Sequence, residues 1–97
     1  MLVGTLKIQI NLHGIGSIKD KRKIVKSLIG RLQSRFNFSV AEVAAHESKL
    51  IAVIGIAAVS NDGVFIQKQF DKAIEFARQD GRFYLSETKQ EIFSTEN

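Results

Sequence analysis

Residues 2–35 read LVGTLKIQINLHGIGSIKDKRKIVKSLIGRLQSR and contain the change of period that decides the fold. Leu2, Leu6, Ile8, Ile10 and Leu12 alternate with Val3, Thr5, Lys7, Gln9 and Asn11, and a period of two is the mark of a half-buried strand. His13-Gly14-Ile15-Gly16 breaks the alternation. Ser17, with Asp20 three residues on, makes a near capping-box start for a helix over 18–35. There Ile18, Ile24, Val25, Leu28, Ile29, Leu32 and Phe36 fall within roughly 140° of the helical wheel, a stripe that packs on a core.

The rest of the chain repeats the scheme. Residues 38–45 are β-branched and small with Glu42 among them, which predicts a short edge strand; residues 45–49 make the turn. Residues 50–59, LIAVIGIAAV, are apolar on both faces, as in a central strand whose second face is also covered. Ser60-Asn61-Asp62-Gly63 opens a helix over 62–79 with Ile66, Phe70, Ala73 and Ala77 inward and Phe65, Ile74 and Phe76 at the margins. Asp80-Gly81 ends it, residues 82–93 form the last strand, and 94–97 are expected to fray. Strand, helix, strand, strand, helix, strand in 97 residues predicts one ferredoxin-like α+β domain over 1–97. Its βαββαβ sandwich has a four-stranded antiparallel sheet, with strands one and three central, and both helices on one face. No repeat or linker interrupts it.

The chain has no cysteine, which excludes a disulfide framework, a thiolate metal site and a cysteine nucleophile. Nothing at the N-terminus resembles a signal peptide, and the longest apolar run is far below the ~20 residues of a membrane span, so a cytoplasmic address is expected. The net charge of +4 is unevenly placed. Residues 1–48 hold eight basic against three acidic groups, and residues 49–97 six against seven. A surplus confined to one stretch points to an anionic partner.

Its residues resemble a known group. Ser17-Ile18-Lys19-Asp20-Lys21-Arg22, Ser27, Arg31, Phe36-Asn37, Ser39-Val40-Ala41-Glu42-Val43 and Val59-Ser60-Asn61-Asp62 together look like the YlxP-like family, small bacterial proteins long filed as a domain of unknown function. The resemblance covers essentially the whole chain. Ile18 and Asp20 stand where Leu and Glu are more usual, which leaves the basic pattern and the capping logic intact. What the resemblance implies is a ferredoxin-like fold and a gene commonly near those for translation initiation and ribosome maturation factors, hence a role with RNA or the ribosome.

The first helix carries the candidate site. Lys19, Arg22, Lys23 and Lys26 form one stripe at i, i+3, i+4 and i+7 opposite the apolar face, continued by Gly30 and Gln33. Like charges on adjacent turns repel, and an exposed Gly30 costs about 1 kcal/mol against Ala, so a face tuned only for stability would avoid both. The competing reading is a merely solvated basic face. Lys21 and Arg31 lie beside or within the apolar arc and complete the set of nucleic-acid-binding candidates. Lys21 is expected to snorkel past the sheet edge and to join Ser17 and the amides after Gly14 and Gly16 as a small anion-binding loop, with a plain capped helix start as the alternative.

Signals of other chemistry are scarce. Central-strand aromatics of the kind that stack RNA bases are missing. His13 and His46 are the only histidines and have no His-Glu-x-x-His spacing, so neither a metal nor a cofactor is expected. Acylphosphatases share the predicted topology, but the chain lacks their Val-Gln-Gly-Val stretch. The first helix needs its apolar face for the core, which excludes a membrane-surface role. The expectation is therefore a non-enzymatic factor that binds RNA or a ribosomal subunit, in ribosome maturation or translation. A protein-interaction or oligomerisation module is the alternative, and a small acylphosphatase-like hydrolase stands third. The two-sided apolar strand adds a homodimer through the sheet face, or a cover from the segment near Ile92 and Phe93.

Overall fold

The structure, a computed structural model, describes residues 1–95. Its elements are β1 (Leu2–Leu12), α1 (Ile18–Arg35), β2 (Ser39–Ala44), β3 (Ile51–Ser60), α2 (Gly63–Arg78) and β4 (Phe83–Ser94). The strands form one antiparallel sheet in the order β2-β3-β1-β4, with both helices on one face. This is the ferredoxin-like α+β arrangement, with the two most apolar strands at its centre. The register Leu6↔Ile56, Ile8↔Ile54 and Ile10↔Ala52 puts the inward residues of β1 and β3 side by side beneath the helices, all buried.

Each helix docks on this layer by the stripe its period requires. From α1 come Val25, Leu28 and Leu32, and from α2 Ile66, Phe70, Ala73 and Ala77, all buried. α2 begins at Asp62, whose carboxylate accepts from the Val64 and Phe65 amides at 3.0 and 3.2 Å and so satisfies two free helix donors. It lies so close to β1 that a Cβ on Gly4 would collide with Ile66 Cγ2 and stand 2.9 Å from Phe70 Cε2. Only glycine permits that approach.

Two sequence expectations change. Residues 94 and 95 do not fray: Ser94 ends β4 and the Thr95 amide donates to the Met1 carbonyl at 2.9 Å, while 96 and 97 lie outside the described residues. The segment near Ile92 and Phe93 does not cover the sheet either. It belongs to β4, where Phe93 pairs with Val3 and forms part of the open face.

That face is the second important surface. Its rows run Val59, Val3, Phe93; Ala57, Thr5, Glu91; Gly55, Lys7, Lys89; Val53, Gln9, Glu87; and Ile51, Asn11, Tyr84. β2 adds Ser39 and Ala41, and Val43 leans so far over Gly55 that a Cβ there would meet Val43 Cγ1 at 2.7 Å. No described element covers these rows.

Candidate nucleic-acid interface

α1 starts where Ser17, in extended conformation at φ −155° and ψ 161°, accepts the Asp20 amide on its Oγ at 3.1 Å. This is the forward half of a capping box. From that start the 100° step turns Lys19, Arg22, Lys23 and Lys26 outward, and all four are exposed with no ion-pair partner among the described residues. Lys19 also sits in the first turn, where the helix dipole disfavours a cation by a few tenths of a kcal/mol. Gly30 continues the stripe, and a Cβ there would touch nothing within 4 Å, so packing does not require its glycine. The stripe on the outer face of α1 is thus cationic and without ion-pair partners among the described residues.

Lys21 departs from expectation. It does not snorkel to the edge but is buried at 1% exposure, and its Nζ donates to the Ala45 carbonyl at 2.6 Å and the His46 carbonyl at 3.4 Å. Glu42 Oε2, on the inward face of β2 opposite Ile54, lies 3.3 Å away. Lys21 therefore cannot contact a nucleic acid or complete the anion loop. The reason is geometric: at the centre of the apolar arc, its stem runs under α1 toward β2, and the nearest acceptors are the carbonyls of the β2–β3 turn. Ala45 holds a left-handed φ of 61°, uncommon for alanine, and the ammonium on its carbonyl helps fix that conformation.

Arg31 is exposed but belongs to the other flank of α1, with Leu28, Phe76, Gln79 and Asp80 around one shallow depression. It is not part of the outward stripe. Gly14, Gly16 and Ser17 make the predicted tight connection, Gly14 with φ 50°. The Asp20 carboxylate stands over Gly16, where it would lie 3.9 Å from a Cβ. With Lys21 turned inward, the structure brings these three residues to a capped helix start and brings no cation to it.

Reasoning from sequence missed the latch formed by Lys21 and Glu42. Its signal is two opposite charges, each out of place: a lysine central in an apolar helix face and a glutamate on the inward alternation of an apolar strand. It also missed the clamp beyond α2, where Arg82 donates to Asp80 Oδ2 at 2.6 Å and to Oδ1 at 2.9 Å and reaches Ser27 Oγ on α1 at 3.4 Å. The Arg82 guanidinium holds the Asp80 carboxyl below its usual range, with burial opposing. Arg35 closes the helix layer over the Phe76 ring at 4.3 Å. Of the histidines, His13 packs beside Tyr84 with centroids 5.6 Å apart, and His46 Nε2 lies 3.2 Å from the Glu42 carbonyl oxygen. Among the described residues no three histidine or acidic side chains gather as metal ligands would, and no helix is long and apolar enough to cross a membrane.

The fold and the basic helix define a small α+β protein of the ferredoxin-like class. Over residues 3–90 the chain matches the model of a family described as "Protein of unknown function (DUF503)", and it belongs to that family. It is 29% identical over 75 residues to the uncharacterized protein YlxP of Bacillus subtilis (strain 168), covering 77% of this chain and 82% of the relative. Similar solved structures include the de novo designed protein Foldit4, with TM-score 0.53, 11% identity and 98% of each chain covered. The cofactor-independent oxygenase SnoaB of Streptomyces nogalater, in a variant form, gives TM-score 0.51 at 10% identity over 98% of this chain and 94% of that one. A putative chlorite dismutase also gives 0.51 at 10% identity, over 97% of this chain but 45% of that protein. At such identities these structures speak for the fold alone.

Proposed function

We propose that this protein is a non-enzymatic accessory factor of ribosome maturation or translation that docks on RNA phosphates through the outer face of α1. The observation that carries the reading is the stripe of Lys19, Arg22, Lys23 and Lys26, exposed on successive turns and uncompensated among the described residues. Phosphates would relieve the mutual repulsion of these cations, and the resemblance to the YlxP-like family supports RNA as the source of the phosphates. Such contacts position a protein without reading bases, so selectivity comes from RNA shape. Four phosphate contacts give a log-log salt slope of about −2.8 on single strands and about −3.6 on a duplex. Co-sedimentation with ribosomal subunits across a salt titration tests the reading: binding at low salt that decays with about that slope is expected. Association that ignores salt, or none at low salt, overturns it.

A further inference from the structure

We propose that the open face of the sheet is a self-complementary surface that seats a second copy of this chain, independently of any contact with RNA. Among the described residues, four of the eight large exposed hydrophobic ones lie on this one face: Val43, Val59, Tyr84 and Phe93, at 52%, 64%, 53% and 47% exposure. Between them is a concavity of about 460 Å³ with Ala41, Gly55 and Ala57 on its small-residue side and Lys7, Lys89 and Glu91 on the other, and a second hollow of about 280 Å³ adjoins it beside Val53. Apolar side chains gathered around a hollow mark an interface more often than bare solvent contact.

The choice of occupant follows from charge. Lys7 and Lys89 stand against Glu87 and Glu91, so the charges of the face cancel, whereas the outer face of α1 carries only cations. A polyanion or polycation is not favoured there, but a surface with the same mixture is. Lys7 is paired directly across from Lys89, a like-charge arrangement that destabilises a sheet. Lys89 has Glu91 at 3.8 Å, while Lys7 has no acidic partner among the described residues. A two-fold axis in the interface that runs across the strands, between the Thr5–Glu91 row and the Lys7–Lys89 row, sets Glu91 of each copy over Lys89 of the other and beside its Lys7. That is the isologous contact of a C2 dimer.

The area sets the strength. Four strands and about nine residues of length make a face of about 19 by 30 Å, roughly 550 Å² per copy. Both copies together bury about 1,100 Å², at the low end of specific interfaces, so weak, concentration-dependent association is expected. Sedimentation of the full chain over a concentration series should show passage from the 10.8 kDa monomer to twice that mass. Two charge variants then test self-complementarity, Lys7→Glu with Lys89→Glu and Glu87→Lys with Glu91→Lys. Each alone should stay monomeric where the parent dimerises, with a cooperative thermal transition showing that it folds, and an equimolar mixture should recover the dimer mass. Ala41→Arg, which fills the hollow, should weaken association at least about tenfold, and Lys68→Glu on the outside of α2 should leave it unchanged. A parent that remains monomeric at the highest usable concentration overturns the proposal, as does a mixture of two folded charge variants that stays monomeric.

Discussion

Lys21 and Lys23 are two residues apart on α1 and have opposite relations to the rest of the molecule. Lys21 lies under the helix, is almost fully desolvated, donates to two carbonyls and forms an ion pair with one carboxylate on the β2 side. Lys23 stands in water with its three stripe companions and touches nothing that uses its charge. A buried ammonium costs several kcal/mol unless every neighbouring acceptor is in place, so Lys21 is a structural part. An exposed one costs little and returns little to the fold, so the stripe is available for an outside partner.

Breaking the inner half of that comparison should give the largest effect. Lys21→Met keeps most of the volume but leaves the Glu42 carboxylate without its counter-ion and the Ala45 carbonyl without its donor; a loss of about 3 kcal/mol in a denaturant titration is expected. Adding Glu42→Val should recover more than half of it, because the unpaired charge and not the lost pair dominates the cost. If the double variant is as unstable as the single one, the Ala45 turn and not Glu42 is what Lys21 supports.

Breaking the outer half should leave stability alone and change binding. Lys19, Arg22, Lys23 and Lys26 changed together to Gln should shift unfolding by less than about 1 kcal/mol, as exposed substitutions do. Each removed phosphate contact should lower the salt slope by about one, toward zero for the set. A quadruple variant that binds ribosomal subunits like its parent makes the stripe a solvated face.

The two lysines also show what a sequence can disclose. Alternation in residues 2–12 and the 3.6 period in 18–35 and 62–79 report which side faces the core, and side is all that strand order and layer need; the sheet, both helices and the outward stripe were therefore legible. Which partner an inward charge finds depends on a contact across 24 residues, from Lys21 to Ala45, and no local period encodes it. Arg82 reaching Ser27 across 55 residues is hidden for the same reason. The open face was legible only as a doubly apolar strand, because the hollow arises from Gly55 and Ala41 becoming neighbours through the β2–β3 register.

The Asp80–Arg82 clamp sharpens the comparison, since it is a charged pair of intermediate burial, with side-chain exposures of 9% and 38%. Hydrogen bonding to Arg82 lowers the Asp80 carboxyl in the folded chain. The pair therefore contributes stability above the ordinary carboxyl value of 3.8, and that contribution is lost as pH falls through the lower folded value. Asp80→Asn should cost about 1 kcal/mol at pH 7, discounted for the exposed guanidinium, and the gap to the parent should close as pH falls through the lowered folded value. Unfolding midpoints measured from pH 7 to pH 2 give the answer; a gap that persists at pH 2 would mean that the side chain acts through shape and not through charge.

The smallest effect concerns Gly30, in the same outward stripe as Lys23. The helix surrounds it with solvent, and a methyl group would meet no atom within 4 Å. Gly30→Ala should therefore raise stability by roughly 0.5–1 kcal/mol, through helix propensity and a less flexible unfolded chain. A stability gain without steric cost means that the fold does not ask for this glycine. On the proposed reading, close approach of a phosphate backbone to the helix would ask for it, because a bare Cα would let the RNA lie flat across the turn between Lys26 and Gln33. Thermal unfolding should show Gly30→Ala as the more stable protein, and co-sedimentation at low salt should show it as the weaker binder by a few fold. If both stability and binding rise, the stripe contacts RNA only through the tips of its long side chains, and the glycine has no part in the contact.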